Sequence, residues 1–99
     1  MDKELSWEEV KENLKLSDEE KAEIQLEEDL IEAIIEARKK NNLSQRELSD
    51  ISGIKQPAIA RIERGNRYPQ TNTLIKLLYP MGYTIRVVPI DETTTNRIK

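Results

Sequence analysis

Between Leu43 and Gly65 the chain has room for two short helices and one turn, and that stretch constrains the fold more than any other. Leu43-Ser44-Gln45-Arg46-Glu47-Leu48 opens the first helix with three agreeing signals. Ser44 can cap, Glu47 stands three residues on as in a capping box, and Leu43 can staple onto Leu48. The helix covers about residues 45–52 and stops at Gly53, which allows the positive φ of a tight turn at Ser52-Gly53-Ile54. A second helix follows over residues 56–64, with Pro57 in its first turn, where early N–H groups lack partners in any case, and Gly65 at its end. Helices this short are marginal alone in water. They are expected to pair as a helix-turn-helix, with Leu48, Ile51, Ile54, Ile59 and Ile62 forming the wedge between them and against a longer neighbour. Ser49 is small where the two helices approach.

The longer neighbour lies upstream. Ser17 and Glu20 repeat the capping box and start a helix that ends near Asn41-Asn42, residues tolerant of the left-handed conformation. Its apolar residues fall into two rows, Ala22, Leu26, Leu30, Ala33, Ile34 and Ala37 on one face and Ile24, Ile31 and Ile35 on another. A helix apolar beyond its core stripe needs a second partner. That partner is either a short helix over about residues 7–15, started by Ser6 and Glu9 and striped by Trp7, Val10 and Leu14, or another chain.

Downstream, Thr71 or Asn72 is expected to cap a helix carrying Leu74, Ile75, Leu77 and Leu78, broken by Pro80 and Gly82. Residues 83–90 alternate with β-branched residues and read as a strand. A lone strand wants a ladder partner, and the simplest is the same strand of a second copy in a two-fold dimer. Tyr83, Ile85 and Val87, with Leu77 of the preceding helix, are the candidate dimer contacts. The expectation is therefore an all-α fold of five helices with one C-terminal β-strand. It divides into an acidic helical extension (1–25), a helix-turn-helix domain (26–82), a dimerisation strand (83–90) and a flexible tail (91–99).

Composition narrows the chemistry. A chain of 99 residues supports one small core. It has neither Cys nor His, which excludes disulfides, thiolate and histidine nucleophiles, and the usual zinc sites, so an enzyme is not expected. The acidic clusters lack the spacing of a calcium loop, so no metal or other cofactor is expected. The N-terminus has no continuous apolar region of signal-peptide type, and no apolar run approaches the roughly 18 residues of a membrane span. These features lead to the expectation of a cytoplasmic protein with no membrane partner.

The net charge of −3 conceals a division. Residues 1–36 hold 14 acids and 4 bases, for −10, while residues 37–99 hold 12 bases and 5 acids, for +7. The basic part suits a polyanion and the acidic part a basic partner, although two solvated helical faces would also account for it. On the second short helix, Lys55, Gln56, Ala58 and Arg61 are expected to be exposed. They suit a DNA major groove, because Gln can bond adenine at two edges, Arg and Lys suit guanine, and a methyl group can meet thymine. Gln45 and Arg46 are placed for phosphate contact at a helix start, and Arg64, Asn66 and Arg67 lie where the DNA backbone would run.

The stretch LSQRELSDISGIKQPAIARIERGNRYPQTNTLIKLL resembles the helix-turn-helix of the Xre/Cro/phage-repressor superfamily, over about residues 30–79 and including the RIERG ending of the recognition helix. It departs from the common pattern mildly, in having Ser49 where Ala is usual. The resemblance implies a lambda-repressor-like fold and a structural ion pair between Arg38 and Glu63, which removes both from the DNA readers. The acidic, Trp-containing segment LSWEEVKENLKLSDEEKAEI, the long helix and the closing YTIRVVPI resemble the HigA-type antitoxins. That likeness implies a homodimer that binds a palindromic operator, represses its own operon and neutralises a small basic RelE-like ribonuclease toxin. Trp7, Val10, Leu14 and Ile24 are the candidate toxin anchors, and Trp7 could equally anchor the protein's own core. A plain repressor whose extension packs only on its own domain is the alternative.

Overall fold

The computed structural model describes residues 15–90. Four α-helices follow one another: α1 (Asp18–Lys40), α2 (Gln45–Ser52), α3 (Gln56–Glu63) and α4 (Thr71–Leu78), closed by a 3-10 turn at Tyr79–Met81. The short helix expected at residues 7–15 and the tail at 91–99 fall outside the described residues, apart from Lys15, which lies in a turn.

Local signals place the helix ends. Ser17 Oγ accepts from the Glu20 N–H at 3.1 Å while the Glu20 carboxylate takes the Ser17 N–H at 2.9 Å. Ser44 and Glu47 make the same reciprocal pair at 3.0 and 2.8 Å. Asn41 terminates α1 with its side-chain amide on the Ala37 carbonyl, and Asn42 takes the left-handed conformation at φ 56°. Gly53 does so at φ 80°, its N–H closing α2 on the Ser49 carbonyl. α4 begins one residue earlier than its hydroxyl and amide side chains suggest. Gln70 is the N-cap, without a side-chain bond, and Thr71 is already helical.

The core consists of Ile34 and Ala37 from α1, Leu48 from α2, Ile59 and Ile62 from α3, Leu74, Leu77 and Leu78 from α4, and Met81 from the 3-10 turn. Leu30, Ile31, Leu43 and Ile54 pack against it. Three sequence readings are corrected here. Of the expected apolar row of α1, Ala22, Leu26 and Ala33 are exposed, and cover reaches only Leu30, Ile34 and Ala37, with Ile31 of the second row beside them. Ile51 is 48% exposed, so Leu48 is the wedge residue of this two-turn helix. Leu77, a candidate dimer contact, is completely buried and holds α4 onto the core instead.

The fourth correction concerns the C-terminus. Residues 83–90 carry no strand; the described residues contain four α-helices, and the fifth expected helix, over residues 7–15, lies outside them. Alternating β-branched residues favour extended backbone, but a strand exists only when another segment meets its N–H and C=O groups. Among the described residues no second strand is present to do so.

The helix-turn-helix turn gives a first testable outcome. A Cβ added at Gly53 would meet nothing within 4 Å, so Gly53→Ala should lose only the ease of its positive φ. The expected cost is about 1 kcal/mol, seen as a lower urea midpoint at unchanged m-value.

Candidate nucleic-acid interface

α2 and α3 are held at a fixed relation by Leu48, Ile59 and Ile62 beneath them and by one ion pair at their edge. The Arg38 guanidinium meets the Glu63 carboxylate through two bonds, Nε to Oε2 at 2.7 Å and Nη2 to Oε1 at 2.9 Å. Its Nη1 donates to the Leu43 carbonyl at 3.0 Å. The Gln45 amide donates to Glu63 Oε1 at 2.9 Å. The side chains of Arg38 and Glu63 are 14% and 7% exposed, so three helix termini are joined in a largely dry network. The hydrogen bonds it donates to Glu63, and that carboxylate's negative charge, raise the Arg38 guanidinium above its ordinary value, while burial opposes them. Two parallel N–H···O bonds to one carboxylate are the strong form of this interaction.

This network also relocates Gln45. Its side chain is half-buried and engaged by Glu63, so it does not stand free toward a phosphate. What Gln45 and Arg46 can offer an anion is their first-turn N–H groups, which have no partner within the helix. Arg46 itself is exposed.

The remaining candidates lie on one surface. Lys55, Gln56 and Arg61 are exposed on α3, and Arg64, Asn66 and Arg67 are exposed just beyond it. Ala58 is half-buried rather than exposed, with its face turned to the loop after α3. An open groove separates that face of α3 from the loop and the start of α4, with Lys55, Pro57, Arg61, Arg67, Gln70 and Thr73 among its lining. Arg38 is taken up by Glu63, whereas Lys55, Arg61, Arg64 and Arg67 pair with no carboxylate among the described residues. Cations left unpaired around a groove are available to phosphate or to base edges.

Pro57, Gln70 and Thr73 escape a reading of the sequence for this site. Pro57 looks like a helix-start device, and the polar cluster around Gln70 looks like an ordinary cap. Only the fold brings the start of α4 alongside α3. The loop between them is seated by buried Pro69, and its Tyr68 feels the charges of Glu27 and Glu23 on α1. Burial, together with the nearby negative charges of Glu27 and Glu23, pushes the Tyr68 phenol up from its ordinary value.

The proposed toxin anchors are divided. Ile24 is half-buried on α1, lining a shallow cleft with Glu27, Glu28, Ile31 and Gly65. Trp7, Val10 and Leu14 lie outside the described residues. The dimer candidates Tyr83, Ile85 and Val87 are all exposed. Among the described residues no group of acids could hold a metal ion, and no helix is long and apolar enough to cross a membrane.

Three comparisons bear on this geometry. The helix-turn-helix family matches residues 34–87, which span the end of α1 and all of α2, α3 and α4. A Haemophilus influenzae protein described as an uncharacterized HTH-type transcriptional regulator is 42% identical over 85 residues, 86% of each chain. A solved structure, a toxin-antitoxin module from Streptococcus pneumoniae, superposes with a TM-score of 0.67 at 38% identity, covering 88% of this chain and 96% of that one.

Proposed function

The chain belongs to the helix-turn-helix family, and from that premise we propose that it is a transcription regulator and the antitoxin of a toxin-antitoxin pair. It binds a palindromic operator as a homodimer and neutralises a small basic ribonuclease of the RelE type, as HigA-type antitoxins do. The observation that carries the DNA half is the unpaired cationic surface of α3 and its following loop, mounted on the Arg38–Glu63 network. In this reading Gln56 and Arg61 meet base edges, while Arg46, Arg64, Asn66 and Arg67 meet phosphates. The antitoxin half is supported by the likeness to the Streptococcus pneumoniae module over 88% of the chain and by the −10 charge of residues 1–36. The name of the Haemophilus influenzae relative favours a second reading, a regulator without a toxin.

Two copies would set their α3 helices into successive major grooves, about 34 Å apart. The exposed apolar residues Tyr83, Ile85 and Val87 are the proposed contacts between copies.

Fluorescence anisotropy on DNA from upstream of the protein's own gene, compared with random duplex, tests the DNA half. Affinity should fall steeply with salt as phosphate-bound counterions are released. Gln56→Ala or Arg61→Ala should cost about 1–3 kcal/mol on operator DNA and relax preference at single base pairs. Arg67→Ala should weaken operator and random DNA alike. Equal losses on both DNAs for Arg61→Ala would remove it from the readers, and salt-independent binding would overturn the interface.

A further inference from the structure

α1 is the longest element, about 35 Å at 1.5 Å per residue, and the core uses only its second half. No residue of Asp18–Lys40 before Ile34 is fully buried. The first half nevertheless carries Leu26, 54% exposed, with exposed Ala22 one turn before it and exposed Ala33 two turns after. Asp18, Ala22, Leu26, Asp29, Ala33 and Glu36 succeed one another at steps of four, four, three, four and three. At that spacing they form a single seam along the helix. Leu26 lies in line with Leu30 and Ala37 at helical spacing, so the seam runs off their edge toward the start of α1, beyond the core.

We propose that this seam of α1 is a docking surface for a basic helix of another protein, with Leu26 as its apolar centre. Small residues at 22 and 33 let a second helix backbone approach closely on either side of Leu26. The charge selects the occupant. Residues 18–36 hold nine acids and one base, for −8. A second copy of this chain would set two such helices against each other, and like charges in close register oppose pairing. DNA phosphates are repelled for the same reason. A helix with Lys or Arg flanking an apolar residue meets both requirements, placing its cations near Asp18 and Glu36 and its apolar residue on Leu26. Apolar centre and charged rim is the usual anatomy of a protein interface.

The proposal rests on the antitoxin reading and adds to it the surface used. It places the contact on exposed Leu26 rather than on half-buried Ile24. It also leaves the α3 surface free, so one chain can hold the basic protein and DNA together.

The test uses the full chain and, as probe, the purified small basic protein encoded beside its gene, titrated by calorimetry. Leu26→Arg replaces the apolar centre with a like charge for the partner, and because Leu26 lies outside the core the variant should keep its thermal midpoint and its DNA affinity. The expected result is at least a tenfold loss of affinity for the probe, with Ile24→Ser changing it less. Glu36→Lys should lower affinity as well and flatten its salt dependence. If the wild type binds the probe and Leu26→Arg binds it equally well, the docking surface is elsewhere and the proposal is overturned while the antitoxin reading stands. If the wild type does not bind the probe at all, the antitoxin reading fails and the proposal falls with it.

Discussion

Arg38→Met should destabilise the protein by about 3 kcal/mol, because it strands a carboxylate that the fold has taken out of water. Glu63 is 7% exposed and would keep only the Gln45 amide, against the two guanidinium bonds it now accepts. The Leu43 carbonyl would also lose its donor. For a domain of this size the loss corresponds to a fall in Tm of roughly 12–24 °C. The double change Arg38→Met with Glu63→Leu should recover most of it, since removing both charges removes the desolvation cost together with the attraction. A single-variant loss below about 1 kcal/mol would put the pair among ordinary surface salt bridges. The pH behaviour follows from the same contacts. Arg38 is raised above its ordinary value, so the stability its charge contributes is fully present across the neutral range and is lost as pH rises through the arginine range. Arg38→Met should therefore lower the thermal midpoint by a similar amount at pH 6 and pH 9.

Because Glu63 is the last residue of α3, the same variant should weaken DNA binding without changing sequence preference. That pattern separates it from Arg61→Ala, which should change preference while leaving the thermal midpoint nearly unmoved.

Leu77→Ala should cost about 3–4 kcal/mol, the range for emptying a fully buried leucine site that cannot collapse. Leu77 meets the core where α4 crosses α1 and α2, so the loss should be independent of protein concentration. Val87→Asp makes the contrast. Val87 is wholly exposed, so the change should leave the unfolding of a dilute sample unaltered and reduce self-association in sedimentation equilibrium. If Leu77→Ala instead cost under 1 kcal/mol while abolishing self-association, Leu77 would belong to the interface after all.

The helix boundaries were legible from a few residues because the forces that set them act within one turn. Ser17 with Glu20 and Ser44 with Glu47 satisfy helix N–H groups through side chains three positions away, and Gly53 ends a helix through its own φ. Arg38–Glu63 stands differently. The partners are 25 residues apart, nothing local pairs them, and only resemblance to a family pointed to them.

Elsewhere an apolar residue announces that it wants cover but not where cover will come from. Leu26 and Leu77 are both leucines on amphipathic helices, and one is 54% exposed while the other is sealed. Residues 83–90 have the pattern of a strand and no ladder, because a strand is a property of two segments. Gln70 and Thr73 join the groove, and Gln45 leaves the set of free side chains, through neighbours distant in sequence. The sequence by itself determined the helices, the turn between α2 and α3, and the split of charge, all consequences of short-range hydrogen bonding, backbone sterics and composition. Which faces are core, which cations stay unpaired and which seam of α1 lies open were decided by tertiary packing, since burial and pairing depend on what the rest of the chain brings within reach.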